Sequence, residues 1–218
     1  MARGVLFDLG GTLVRVGDPA EVVGSFLEEK GFSKTLQEVS SAISHADGSF
    51  GDDYFVNRDY WREWNRRILA RLGVPNRDDL AAYIDSHWFE RMEVSLYPDV
   101  LGVLKKLRRM DLRLGAVTNG LSSDLPHLID KLGLSECFHV RIAADHAGRK
   151  KPNPRIFLLA AREMGLPPRE VIFVGDEQDL DYRPAESVGM IPVLVDREGK
   201  HPLVSNVVPN LKGVLDFL

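Results

Sequence analysis

Asp8 closes the apolar run Val5-Leu6-Phe7 and opens a turn of Leu9-Gly10-Gly11-Thr12-Leu13. A carboxylate there stands at the carboxyl end of a strand, where open α/β sheets bind their ligands. Asp176 repeats the arrangement after Val171-Ile172-Phe173-Val174-Gly175, with Asp179 and Asp181 close behind it. Carboxylates at two strand ends suit a hard divalent cation. Mg²⁺ takes oxygen ligands at about 2.0–2.1 Å, keeps several waters, and needs only one or two carboxylates beside a substrate phosphate. Thr118-Asn119-Gly120 ends another apolar run and offers a hydroxyl, an amide and backbone N–H groups, a set able to hold phosphate oxygens. Lys151, followed by Pro152-Asn153-Pro154, offers an ammonium that offsets clustered carboxylates and phosphate. Taken singly, these features read as an Asp-Gly turn, a helix cap, an ordinary turn and a solvated lysine. Their conjunction is what argues for a site.

The elements that must position these residues are legible in the hydrophobic pattern. Val5–Asp8, Leu114–Asn119, Val171–Asp176 and Ile191–Val195 read as buried strands. Asp99–Met110, Leu125–Leu132 and Pro154–Met164 have helical period, and Gly133 and Gly165 stop the last two. Alternation of strand and helix predicts a parallel sheet covered on both faces, a Rossmann-like α/β core. From about Val14 to Tyr97 the pattern offers helices and no convincing strand, which predicts an all-α insertion. Asp18-Pro19 caps the first of its helices and Gly31 ends it. Tyr60, Trp61, Trp64, Ile68 and Leu72 form one stripe in a second, and a further helix runs over Asp78–Trp88. The expected division is a core of residues 1–14 and 98–218 and a helical domain of residues 15–97.

Composition excludes several classes of function. The 218 residues carry 28 Lys and Arg against 32 Asp and Glu, a net charge of −4. No nucleic-acid or anionic-membrane partner is therefore expected. The run Lys105, Lys106, Arg108 and Arg109 reads as a solvated helix face. A single cysteine, Cys137, precludes an internal disulfide and falls short of a zinc-thiolate site. The histidines lack ligand spacing, and the acidic stretch Asp47-Gly48-Ser49-Phe50-Gly51-Asp52-Asp53 does not fit a calcium loop. No apolar segment approaches the ~18–20 residues that span a bilayer, and the Met1–Asp8 stretch has no signal-peptide character, so a cytoplasmic protein is expected.

The ordered set Asp8–Thr12, Thr118-Asn119, Lys151-Pro152 and Gly175-Asp176 with Asp181 resembles the haloacid dehalogenase superfamily, over roughly Met1–Val14 and Pro98–Val195. The resemblance implies that Asp8 is a nucleophile forming an aspartyl phosphate. It also implies that Thr118 binds phosphate, that Lys151 balances charge, and that Mg²⁺ is held by Asp8, the Gly10 carbonyl and Asp176. Asp181 is the supporting acidic residue, with Asp179 as its rival. Thr12, Thr118, Asn119 and Lys151 are the expected phosphate contacts, and a small phosphorylated metabolite the expected substrate. The helical insertion corresponds to the family's cap, in which the Trp stripe reads first as internal core.

One departure matters. Phosphatases of this family normally carry a second Asp where this chain has Gly10, as acid for the leaving group and base for water. A positioned acid/base contributes about 10²–10⁴ in rate, so a slow hydrolase, or one preferring aryl and acyl phosphates, is expected. The same substitution motivates the alternative of a non-catalytic binding or regulatory protein. A 2-haloacid dehalogenase fits less well because the acidic set looks metal-binding. A phosphonate hydrolase fits poorly because the insertion's lysines, Lys30 and Lys34, stand in no matching context.

Overall fold

The computed structural model describes residues 2–51 and 54–218; Met1, and Asp52 and Asp53 of the acidic stretch, lie outside the described residues. The chain divides into two compact units, Met1–Arg15 with Ser95–Leu218, and Val16–Val94.

In chain order, β1 (Gly4–Phe7) and β2 (Val14–Val16) are followed by α1 (Pro19–Glu29), α2 (Leu36–Gly48), α3 (Tyr60–Arg71) and α4 (Arg77–Arg91). Then come β3 (Val94–Leu96), α5 (Val100–Arg109), β4 (Arg113–Thr118), α6 (Leu125–Lys131), β5 (Val140–Ala143), α7 (Ala144–Ala147) and α8 (Pro154–Met164). The chain continues through β6 (Val171–Gly175), α9 (Arg183–Ser187), β7 (Ile191–Val195) and β8 (Val207–Val208), and closes with a 3₁₀ segment over Leu211–Phe217. Six strands form a parallel sheet in the order β5-β4-β1-β6-β7-β8.

The buried strands are those the apolar runs predict. Every residue of β1 and β6 is buried, as a sheet covered on both faces requires. On one face Phe157 of α8 meets Phe173 of β6, ring centroids 4.7 Å apart, within a cluster that includes Leu6, Val117 and Ile142. The α8 helix is placed by its ends. Asn153 accepts the Arg155 N–H, Pro154 stands at the first turn, and Gly165 stops the helix at φ 68°.

One expectation needs correction. The interval from Val14 to Tyr97 is not free of strands: β2 and β3 pair as a two-stranded sheet. Each is three residues long, too short for a period-two pattern to register. Asp47 and Gly48 of the acidic stretch complete α2. That helix carried a readable signal in Thr35 and Glu38, whose side chains and backbone N–H groups cap each other reciprocally. β5 and β8 also escaped the pattern, β5 because Arg141 interrupts a four-residue run and β8 because it has two residues.

Within the helical unit the aromatic stripe is largely internal. Tyr60, Trp64 and Ile68 are buried, Trp64 packs edge-on against Trp88 with centroids 5.9 Å apart, and its Nε1 donates to Asp47. Among the described residues no helix is long and apolar enough to cross a membrane.

Candidate active site

Three adjacent central strands, β4, β1 and β6, end at the residues the sequence singled out. Phe7 pairs with Ala116 and Val174, and the Asp8 N–H donates to the Val174 carbonyl at 2.9 Å. Register alone thus brings Asp8 level with the ends of β4 and β6.

The turn after Asp8 is tight. Leu9 O accepts from the N–H groups of Leu13 and Val14, and the Gly11 N–H donates to Val14 O. Gly11 sits at φ 79°, and a Cβ built on it would lie 2.0 Å from an Asp176 Oδ2. Only glycine meets both demands. The Thr12 hydroxyl donates to Asp176 Oδ1 at 3.0 Å, and Thr12 is fully buried. Thr12, an expected phosphate contact, thus has its hydroxyl proton directed at Asp176.

Asp181 reaches the same place by a different device. A π-helical turn over Gln178–Tyr182 folds it back so that its Oδ2 accepts the Glu177 N–H at 3.1 Å. Gly175 admits it, because a Cβ there would lie 2.3 Å from Asp181 Cβ. Asp179 points elsewhere, exposed and paired with Arg183 at 2.7 Å.

Lys151 links the set. Its buried Nζ lies 2.5 Å from Asp8 Oδ1 and 2.6 Å from Asp181 Oδ1. Asn119 brackets the Lys151 backbone, accepting its N–H at 2.6 Å and donating Nδ2 to its carbonyl at 3.2 Å. The Asn119 amide thus places Lys151, using one of its two N–H donors. Thr118 remains half-buried, its Oγ1 accepting from the Gly120 N–H at 3.1 Å with the hydroxyl proton unused by that bond.

Asp8, Asp176 and Asp181 offer carboxylate oxygens all within 4.8 Å of one another. Three carboxylates face one ammonium, and the excess negative charge shows in the protonation of Asp8 and Asp176. Burial first, then Asp181 and Asp176, push the Asp8 carboxyl up to about 7 against the pull of Lys151. Burial and Asp181 raise Asp176 to about 6, and the same two causes raise Glu177. Lys151 is held above its usual range, since Asp8 and Asp181 outweigh the burial that disfavours its charge. A buried, all-oxygen, under-neutralised cluster fits a hard divalent cation. Gly10 is exposed in the turn and brings no side chain to the cluster.

Beside Asp176 lies a cavity of about 250 Å³ lined by residues that include Gly11, Tyr97, Glu177, Arg197 and His201. Sequence reasoning missed Tyr97, Arg197 and His201, which belong to no strand-end motif and carry no spacing signal.

The family model for haloacid dehalogenase-like hydrolases matches residues 2–189. A glyceraldehyde 3-phosphate phosphatase of Methanopyrus kandleri is 32% identical over 210 residues, 92% of this chain and 86% of its own length. A phosphoglycolate phosphatase of Escherichia coli K12 is 30% identical over 201 residues, 86% of this chain and 78% of its own length. Among solved structures, a 2-haloacid dehalogenase of Pseudomonas syringae aligns over 100% of both chains with a TM-score of 0.72 at 22% identity. That last likeness is one of fold, and the chemistry has to be argued from the side chains.

Proposed function

This chain belongs to the haloacid dehalogenase-like hydrolases, and on that premise we propose that it is a Mg²⁺-dependent phosphatase acting on phosphate monoesters of small metabolites. The observation that carries the reading is the cluster itself: three carboxylates within 4.8 Å, two of them bridged by a buried lysine. Displacement of halide from carbon by a carboxylate needs no metal, whereas three clustered carboxylates suit a hard divalent cation. The names of the two relatives, whose substrates have two and three carbons, support a compact phosphorylated acid or aldehyde as substrate.

Asp8, Asp176 and the Gly10 carbonyl would hold Mg²⁺, with Asp181 beside them. Bound there, the ion supplies charge neutralisation for the phosphoryl oxygens. Lys151 keeps Asp8 ionised and aimed, and the Thr118 hydroxyl and neighbouring backbone N–H groups receive phosphate oxygens. The Asp8 carboxylate attacks phosphorus, the ester P–O bond breaks with its electron pair going to the leaving group, and an aspartyl phosphate results. Water then attacks that phosphorus, freeing phosphate and restoring Asp8. Transition-state stabilisation is mainly electrostatic.

Gly10 sets the rate. With no carboxylate at that position, alkyl leaving groups depart without a positioned proton donor, and turnover falls by about 10²–10⁴ from that of a complete site. The same feature favours the second reading, a binding or regulatory protein on this scaffold. A time course of phosphate and leaving-group release from para-nitrophenyl phosphate and acetyl phosphate, with and without Mg²⁺, separates them. Wild-type release that requires Mg²⁺ and disappears in Asp8→Asn supports the phosphatase. Full activity in Asp8→Asn would sink it, and activity gained only in Gly10→Asp supports the binding protein.

A further inference from the structure

Arg197 lies just beyond β7, outside every motif, yet it reaches the turn after β1. Its Nη2 donates to the Thr12 carbonyl at 3.0 Å. Its two Nη atoms donate to the two oxygens of Asp99 at 3.2 and 3.3 Å, and its guanidinium stacks 3.8 Å from the Tyr97 ring centroid. Asp99 is itself anchored, accepting the Leu211 N–H at 2.6 Å. Burial works against its charge, but the Leu211 amide and Arg197 hold it below the usual carboxylate range.

In the sheet β6 separates β1 from β7. Arg197 therefore spans the end of the strand that delivers Asp176, and fastens the turn on the other side. Thr12 is gripped at both ends, its carbonyl by Arg197 and its hydroxyl on Asp176. We propose that Arg197 is a positioning residue for the metal-binding carboxylate Asp176, acting through Thr12. The inference rests on the Mg²⁺ reading of the site. A planar fork serves here where an ammonium would not, because two carboxylate oxygens and a main-chain carbonyl are bound at once. Partners that orient a metal ligand typically govern 10–100-fold in metal affinity, and about tenfold is expected here.

The test is calorimetric titration of the metal-free protein with Mg²⁺ well below its melting temperature, for wild type, Arg197→Gln, Arg197→Lys, Asp99→Asn, Thr12→Val and the Thr12→Val/Arg197→Gln double variant. Expected are about tenfold weaker binding in Arg197→Gln, a smaller loss in Arg197→Lys, and a loss in the same direction in Asp99→Asn. With Thr12→Val already made, Arg197→Gln should cost no more than about a further twofold, because the connection it acts through is gone. A lowered melting temperature with unchanged Mg²⁺ affinity would make Arg197 merely structural and overturn the proposal. So would full additivity in the double variant. Wild-type protein that binds no Mg²⁺ would overturn the metal reading and this inference together.

Discussion

Gly175→Ala tests the packing that assembles the site, using a single methyl group. In β6, Gly175 pairs with Leu194 of β7, so the strand has little room to shift. The added Cβ would stand 2.3 Å from Asp181 Cβ and Cγ and 2.4 Å from Oδ2. Carbon contacts are comfortable only at about 3.5–4.0 Å, so Asp181 must move by more than 1 Å. That side chain accepts from Lys151 Nζ at 2.6 Å and from the Glu177 N–H at 3.1 Å, and both bonds are lost. Lys151 keeps Asp8 as its partner, so the cost is that of the two hydrogen bonds to the buried carboxylate, about 1.5–3 kcal/mol each and about 3–6 kcal/mol together. At about 2–4 °C per kcal/mol for a chain of this size, the melting temperature should fall by roughly 6–24 °C. Mg²⁺-dependent release of para-nitrophenol should fall by at least about 100-fold, as loss of a preorganised electrostatic group does. Gly102→Ala in α5 is the control. Nothing lies within 4 Å of its Cβ position, and alanine should add up to about 1 kcal/mol of helix stability. A Gly175→Ala protein that melts with the wild type and keeps full activity would refute the reasoning.

Other perturbations read other parts of the site. Asp181→Asn should abolish activity while Asp179→Asn leaves it within about twofold, since only Asp181 faces Lys151 and Asp179 lies exposed against Arg183; equal losses in steady-state assays would reject the assignment. Asn119→Ala removes both bonds that hold the Lys151 backbone. It should lower kcat by about 10-fold or more with a smaller change in KM, the mark of an interaction used mainly in the transition state; a change in KM alone would contradict it. Asp8 and Asp176 are raised to about 7 and about 6 in the folded protein, above their ordinary value of 3.8. The folded state therefore keeps protons that the unfolded chain has released, and without metal these groups reduce stability as pH rises from about 4 to about 7. Because Mg²⁺ competes with those protons, the rise in melting temperature on adding it should grow from about pH 5 to about pH 7.5; a thermal-shift series in which the rise is independent of pH would contradict this.

Much of the architecture was legible because burial leaves a mark along the chain. Strands covered on both faces must be continuously apolar, so β1, β4, β6 and β7 could be read directly. Helix ends that need special backbone conformations declare themselves through Asp18-Pro19, Asn153-Pro154, Gly133 and Gly165. The strands β2, β3 and β8 were not legible because two or three residues leave no pattern, and β5 because Arg141 interrupts its apolar run. Asp8, Thr118 and Asp176 at adjacent strand ends were visible for the same reason that the strands were: the sheet delivers whatever follows each apolar run to one edge.

What the sequence determined by itself was therefore which residues arrive at that edge, and a helical insertion between the first two motifs. Tertiary structure decided what each then does. Asp179 and Asp181 are two residues apart, and only the π-turn after β6 selects Asp181 for Lys151. Thr12 and Asn119 are the right types to touch phosphate, and the fold also sets the Thr12 hydroxyl on Asp176 and the Asn119 amide on the Lys151 backbone. Arg197 carries no signal at all, because its role comes from crossing over the end of β6 to Thr12. A linear pattern records how often a side chain meets the core. It does not record which of several polar neighbours, distant in the chain, a turn will aim it toward.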